Sequence, residues 1–108
     1  MSILINLTPH TIEIRTSAEP LVLDPHGPPA RVSATQTQAG VVNGIPVMSV
    51  VYGAIEHLPE PVADVIYITS ALVAACAKRA DVLSPDTGAT AIRKNGQVVA
   101  VVALVSHV

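Results

Sequence analysis

Asn-Gly occurs twice in the chain, at Asn43-Gly44 and Asn95-Gly96, each time between strand-like runs. Asn followed by Gly is the pair that best tolerates the positive φ angles of a two-residue hairpin turn, so each occurrence predicts two antiparallel strands closed on themselves. The first joins "VV" to "IPV" and carries a strand on to Tyr52. Pro46, lacking an amide donor, belongs there at an edge or a bulge. The second pairs "TAIRK" with "QVVAVVALV".

The same reading extends to the rest of the chain. Residues 3 to 6 form a short apolar run that ends at "TPH", and "TIEIR" then alternates apolar and polar side chains with the period of a half-buried strand. This predicts strand, tight turn, strand. "PLVLD" is a further strand candidate, followed by the loop "PHGPPA", and "ARVSATQTQ" alternates again. "VIYIT" reads as a compact strand, and "SALVAACAKRA" is the one stretch dominated by helix-favouring Ala and Leu. The helix is expected over about 70–80, with Ser70 as N-cap and Lys78 and Arg79 in the last turn, where the dipole favours cations. "DVLSPDTGA" is expected to be a loop through Pro85 and Gly88. The sum is an α+β fold in one small domain, 1–108, mainly antiparallel strands with one α-helix packed on the sheet.

Half the residues are apolar, yet the aromatics are only Tyr52 and Tyr67, so the core must be built from Val, Ile, Leu and Ala. Six Lys and Arg against eight Asp and Glu, without blocks of like charge, lack the basic footprint of a nucleic-acid binder. The longest unbroken apolar run, Val98 to Val105, is far short of a bilayer span, so no membrane partner is expected. A lone Cys76 fits a reducing interior, and with no signal-peptide pattern the expected location is the cytoplasm. Mean hydropathy is high at +0.53. That predicts a homo-oligomer in which apolar surface is covered.

Few residues could carry chemistry. The amides opening a helix after Ser70 could dock a phosphate or carboxylate, although serine at that position more commonly caps its own helix. Asp86 and Thr87, in "PDTG", are good turn chemistry. Asp-Thr-Gly is also the aspartic-protease triplet, but that chemistry needs a second carboxylate, the apolar strand before the triplet is replaced by Ser84-Pro85, and protease is disfavoured. Arg31 and Arg93 sit in strand patterns, and Arg79 stands beside Asp81. Each offers a planar fork to an anion or a solvated surface pair. Asn6, Thr8 and His10, in "NLTPH", form a polar corner in which His10 has no visible partner to make it a base. The four histidines share no ligand spacing, so no metal is expected, and without a P-loop or dinucleotide fingerprint no cofactor is either.

Four stretches, "NLTPH" with "TIEI", "ARV", "YGAIEHLPEP…VIYITSALV" and "RADVLSPDTGATAIRKNGQVVAV", together resemble a family of small uncharacterised proteins of phages and prophages. The resemblance covers nearly the whole chain and implies phage context, with no reaction attached to the family as a whole. The leading expectation is therefore a non-enzymatic binding protein for a small anionic ligand, nucleotide-derived, of the kind that sequesters a host immune signal. Asn6, Thr8, His10, Arg31, Ser70, Arg79, Asp86, Thr87 and Arg93 are its candidate contacts. The rivals are a protein-binding inhibitor of a host enzyme and, behind it, a small hydrolase or lyase using His10 with Asp86. All depend on whether three distant turns converge, which local pattern does not reveal.

Overall fold

The computed structural model describes residues 2–108. Ten strands and one helix follow one another as β1 (Ile3–Asn6), β2 (Ile12–Ile14), β3 (Leu21–Leu23), β4 (Arg31–Val42), β5 (Ile45–Glu56), β6 (Val65–Ile68), α1 (Ala71–Ala77), β7 (Val82–Pro85), β8 (Ile92–Lys94), β9 (Gln97–Ala100) and β10 (Leu104–Ser106). The fold is α+β, with one helix packed on sheets in which most ladders are antiparallel. Both Asn-Gly turns form as the sequence requires. Asn43 and Gly44 have φ of 50° and 77°, Asn95 and Gly96 of 54° and 79°, and they close β4 on β5 and β8 on β9.

The centre of the molecule is different. A four-stranded sheet runs in the order β1-β6-β7-β10, and its first two pairings are parallel. Only β10 returns antiparallel, on β7. The expected pairing of residues 3 to 6 with "TIEIR" is not made: β1 pairs with β6, and β2 pairs instead with β3. The reason lies at the corner between them, where Asn6 binds the carbonyl of His10 and that of Leu23 and so turns the chain out of the sheet.

Three further expectations are corrected. "DVLSP" is no loop: Val82–Pro85 is an inner strand, with proline at its last position, where the ladder ends. "QVVAVVALV" is not one strand. It breaks after Ala100, and Val101 is buried on a bridge to Ile14 before β10 joins the central sheet. The helix is shorter than 70–80. Lys78 adopts φ 50°, its N–H closes on the carbonyl of Ala74, and neither Lys78 nor Arg79 lies in the last turn. Ser70 does cap the other end, accepting the amide of Val73 at 3.2 Å.

Because inner strands of a parallel sheet are covered on both faces, β6 reads as the apolar run Val-Ile-Tyr-Ile rather than an alternating one, and Val82 and Ser84 of β7 are both buried. On one face Tyr67, Val73, Ala74, Val82, Leu7 and Ala30 form a cluster between the sheet, α1 and the base of the β4–β5 hairpin. On the other, Ile68, Ile12, Ile14 and Val101 pack the β2–β3 ribbon and the β9 end against it. The remainder of β4–β5 leaves the body, giving an extent of 53 Å along the longest axis and a radius of gyration of 16.4 Å, against about 13 Å for a compact chain of this size.

Ile68 is fully buried in the middle of the sheet. Ile68→Ala is expected to cost about 2–5 kcal/mol through lost transfer energy and the cavity left behind, read as a lower urea midpoint with unchanged slope.

Candidate functional site

The parallel strands β1, β6 and β7 end on one side of the molecule, and the chain leaves them through "LTPH", Thr69-Ser70 and Asp86-Thr87-Gly88. These are the three turns whose convergence the sequence leaves open, and they converge. Thr8, Pro9, His10, Ile12, Thr69, Ser70, Ala71, Pro85 and Thr87 line one cavity of about 390 Å³. A second lobe of about 260 Å³ shares His10, Ile12, Pro85 and Thr87 with it and extends over Glu13 and the aliphatic stretch Val98–Val101. Ligands of sheets with parallel strands characteristically sit outside the carboxyl ends of the strands, where loop residues meet without blocking the ladder.

The corner at "NLTPH" is built from the inside. Asn6 is 1 % exposed, and every polar atom of its side chain is used. Nδ2 donates to His10 O at 2.8 Å and to Leu23 O at 2.9 Å, while Oδ1 accepts from the amide of Thr8 at 2.9 Å and lies 2.7 Å from the Thr8 hydroxyl. Asn6 is thus a scaffold residue and not a ligand contact. Thr8 is also largely buried. Its hydroxyl lies 3.0 Å from His10 O and accepts the His10 amide at 3.3 Å, so Thr8 forms cavity wall with little hydrogen-bonding capacity left over. His10 is exposed and borders both lobes, its backbone is held at the corner, and among the described residues its ring makes no hydrogen bond.

At the second turn Ser70 uses its oxygen as helix cap, and its hydroxyl proton remains a donor at the cavity wall. The capping use prevails over the anion-docking expectation. Thr69 stands fully buried beside it and donates to Ser70 O at 3.0 Å. Thr69 was not anticipated, because only parallel pairing of β6 reveals that its carboxyl end faces a site.

At the third turn Asp86 acts locally. Oδ1 accepts the amide of Gly88 at 3.0 Å and Oδ2 faces the Thr90 hydroxyl at 3.5 Å, so both carboxylate oxygens are engaged on their own loop. Among the described residues no hydrogen bond joins Asp86 to His10. Thr87 lines both lobes. Arg93 reaches over from β8 and donates to Thr87 O at 2.7 Å and Gly88 O at 3.0 Å, which sets a guanidinium on the outer side of the same loop.

The other two arginines do not join them. Arg31 opens β4 opposite Glu56 and lines neither lobe. Arg79 lies beyond the far end of α1 from Ser70, roughly 10 Å of helix away, and is spent in a two-pronged pair with Asp81, Nε to Oδ1 at 2.9 Å and Nη2 to Oδ2 at 2.6 Å, with Nη1 on Pro59 O. Its hydrogen bonds hold the Asp81 carboxyl below the usual aspartate range, against a burial that works the other way. They also raise the guanidinium itself. Arg31 and Arg79 thus lie outside both lobes, Arg79 bonded to Asp81 and Pro59.

Two arrangements escaped sequence reasoning altogether. Ser84 Oγ and His107 Nε2 lie 2.8 Å apart, a pair created by the β7–β10 register, but Ser84 is 1 % exposed and pins the C-terminal segment without an opening to a substrate. A separate hollow of about 390 Å³ brings His26 and His57 together with Leu7 and Pro59. It gathers only these two side chains of polar character, and none of the predicted contacts.

Comparison with protein-family models, with curated proteins and with solved structures gave no match. The site is read from its own geometry.

Two outcomes follow from these bonds. Asn6→Ala leaves two carbonyls and the Thr8 amide without their partner and is expected to destabilise the chain by roughly 2–4 kcal/mol in urea denaturation. Asp81 has a depressed folded-state pKa, so its contribution to stability is present above about pH 4 and is lost as the pH falls below that through the folded value. Arg79 stays charged throughout. Asp81→Asn should accordingly lose less stability than the parent chain between about pH 6 and pH 3, measured by urea midpoints at each pH.

Proposed function

We propose that the trough at the carboxyl ends of β1, β6 and β7 holds a small anionic ligand, nucleotide-derived, and that the protein works by retaining it intact. The observation that carries this reading is the convergence of Thr8, His10, Ser70 and Thr87, from three separate turns, on one cavity. A site for a phosphorylated molecule needs donors on one side and a greasy shelf for the rest of the molecule. His10 and the Ser70 and Thr87 hydroxyls supply the first, with Arg93 bracing the Thr87 loop from behind. Ile12, Pro85 and Val98–Val101 supply the second.

Retention rather than turnover is favoured by what surrounds the imidazole. A general base needs a partner that orients it and matches its pKa to the task. The nearest expected partner, Asp86, spends its carboxylate on Gly88 and Thr90. In the phage setting that the sequence resembles, such a protein would act in the host cytoplasm by lowering the free concentration of a nucleotide signal, as an anti-defence sponge.

Calorimetry against a panel of linear and cyclic nucleotides is the test. At least one member should bind and be recovered unchanged by mass spectrometry. His10→Ala should weaken it roughly tenfold or more, equivalent to about 1.4 kcal/mol, and Arg31→Ala should leave the affinity unaltered. Lack of binding across the panel would refute the reading, and conversion of the ligand would replace it with catalysis.

A further inference from the structure

We propose that the β4–β5 hairpin is the self-association arm of this protein, and that its occupant is a second copy of the chain. The inference stands apart from the ligand reading, since none of the trough residues belongs to the hairpin.

The arm is an unusual object to leave in water. Its two strands have twelve residues each and only the base, through Val32 and Ile55, packs on the core. At about 3.3 Å per residue each strand is about 40 Å long. A two-stranded ribbon without a third strand or a covering layer is marginal by itself. Its outer edges carry no charge: residues 32–55 contain no Asp, Glu, Lys, Arg or His, and edge pairing is interrupted only at Pro46 and at the bulges between Val32 and Ala34 and between Gln38 and Gly40.

Both faces are apolar along β5. Pro46, Met48, Val50 and Tyr52 alternate with Ile45, Val47, Ser49 and Val51, and their cross-strand neighbours on β4 include Thr35, Gln36, Thr37 and Gln38 in the middle and Val41 and Val42 near the turn. Ile45 and Val51 are each 64 % exposed, and Tyr52, one of only two aromatic residues, is 46 % exposed. Aromatic and aliphatic side chains with charge excluded are the composition of an interface core.

Area and charge select the occupant. The chain exposes 7146 Å². A compact monomer of this mass exposes about 5,700 Å². The excess, on the order of 1,400 Å² per chain, is more than the roughly 800 Å² that each partner buries in a standard stable interface. An isologous contact brings a surface against itself, so any charge on it meets a like charge. A surface of 24 consecutive residues without one, counted from Val32 to Ile55, can meet itself without that penalty, and offers no electrostatic feature by which a different partner would be chosen.

Sedimentation velocity on the intact chain is the test. The wild type should sediment as a dimer or larger closed assembly at micromolar concentration. Val50→Lys/Val51→Lys, which charges both faces, should weaken association by roughly a hundredfold or more, while Val62→Lys, at an equally exposed site off the arm, should not. Val47→Glu/Met48→Glu, nearer the tip and clear of the core, repeats the test where folding of the body is not at stake, and far-UV circular dichroism checks each variant. A monomeric wild type, or an assembly that persists in both arm variants, overturns the proposal. So does an assembly lost equally in Val62→Lys.

Discussion

One buried amide holds the architecture together. The Asn6 side chain links the end of β1, the corner at Thr8 and His10 and the end of β3, while its own carbonyl oxygen accepts the amide of His26. A polar group with so little exposure is tolerable only when every donor and acceptor is satisfied. Once satisfied, it fixes geometry that apolar packing alone would leave degenerate. The chain must leave the sheet at Leu7, which frees the other side of β6 for the β2–β3 ribbon and leaves the strand ends open to loops. Trough, corner and second core layer are consequences of that one set of bonds.

The arginines divide by the same logic of satisfaction. A guanidinium is worth little in an exposed pair and a great deal where its fork is matched. Arg79 finds a matched carboxylate and becomes structural, whereas Arg93 finds two carbonyls of a turn and stiffens a loop at the rim of the trough. Charge in this protein is scarce, and nearly all that is well placed serves to shape the turns.

Legibility in the sequence followed the range of the interaction. Both Asn-Gly hairpins, the Ser70 cap and the Asp86 turn rest on contacts within a few residues, and each is present as read. What the residues could not disclose is the pairing of β1 with β6, where Ile3 lies opposite Val65. A parallel partner leaves no turn chemistry between the strands, and an inner strand covered on both faces loses the alternation that would mark it. That blindness produced the errors: Val82–Pro85 read as loop, and the apolar C-terminal run read as one strand. For the site, the turn residues Thr8, His10, Ser70 and Thr87 are legible as polar punctuation, whereas the placement of Arg31 and Arg79 outside both lobes is not, because it depends on strand pairing and on the far end of α1. Thr69 was invisible because its significance is purely topological.

The long separation between Ile3 and Val65 also sets an order of events. Local hairpins close in microseconds, whereas a central parallel pair must wait for loop closure across the intervening chain. On a growing polypeptide the β4–β5 ribbon is complete before its body exists, since β6 and β7 are made after it. Both strands of the uncharged, sticky arm are therefore made before the sheet that shelters their base. Under the proposed self-association, encounters between nascent or newly released chains would occur through the ribbon while the sheet behind it is still unpaired, and assembly would then overlap with folding.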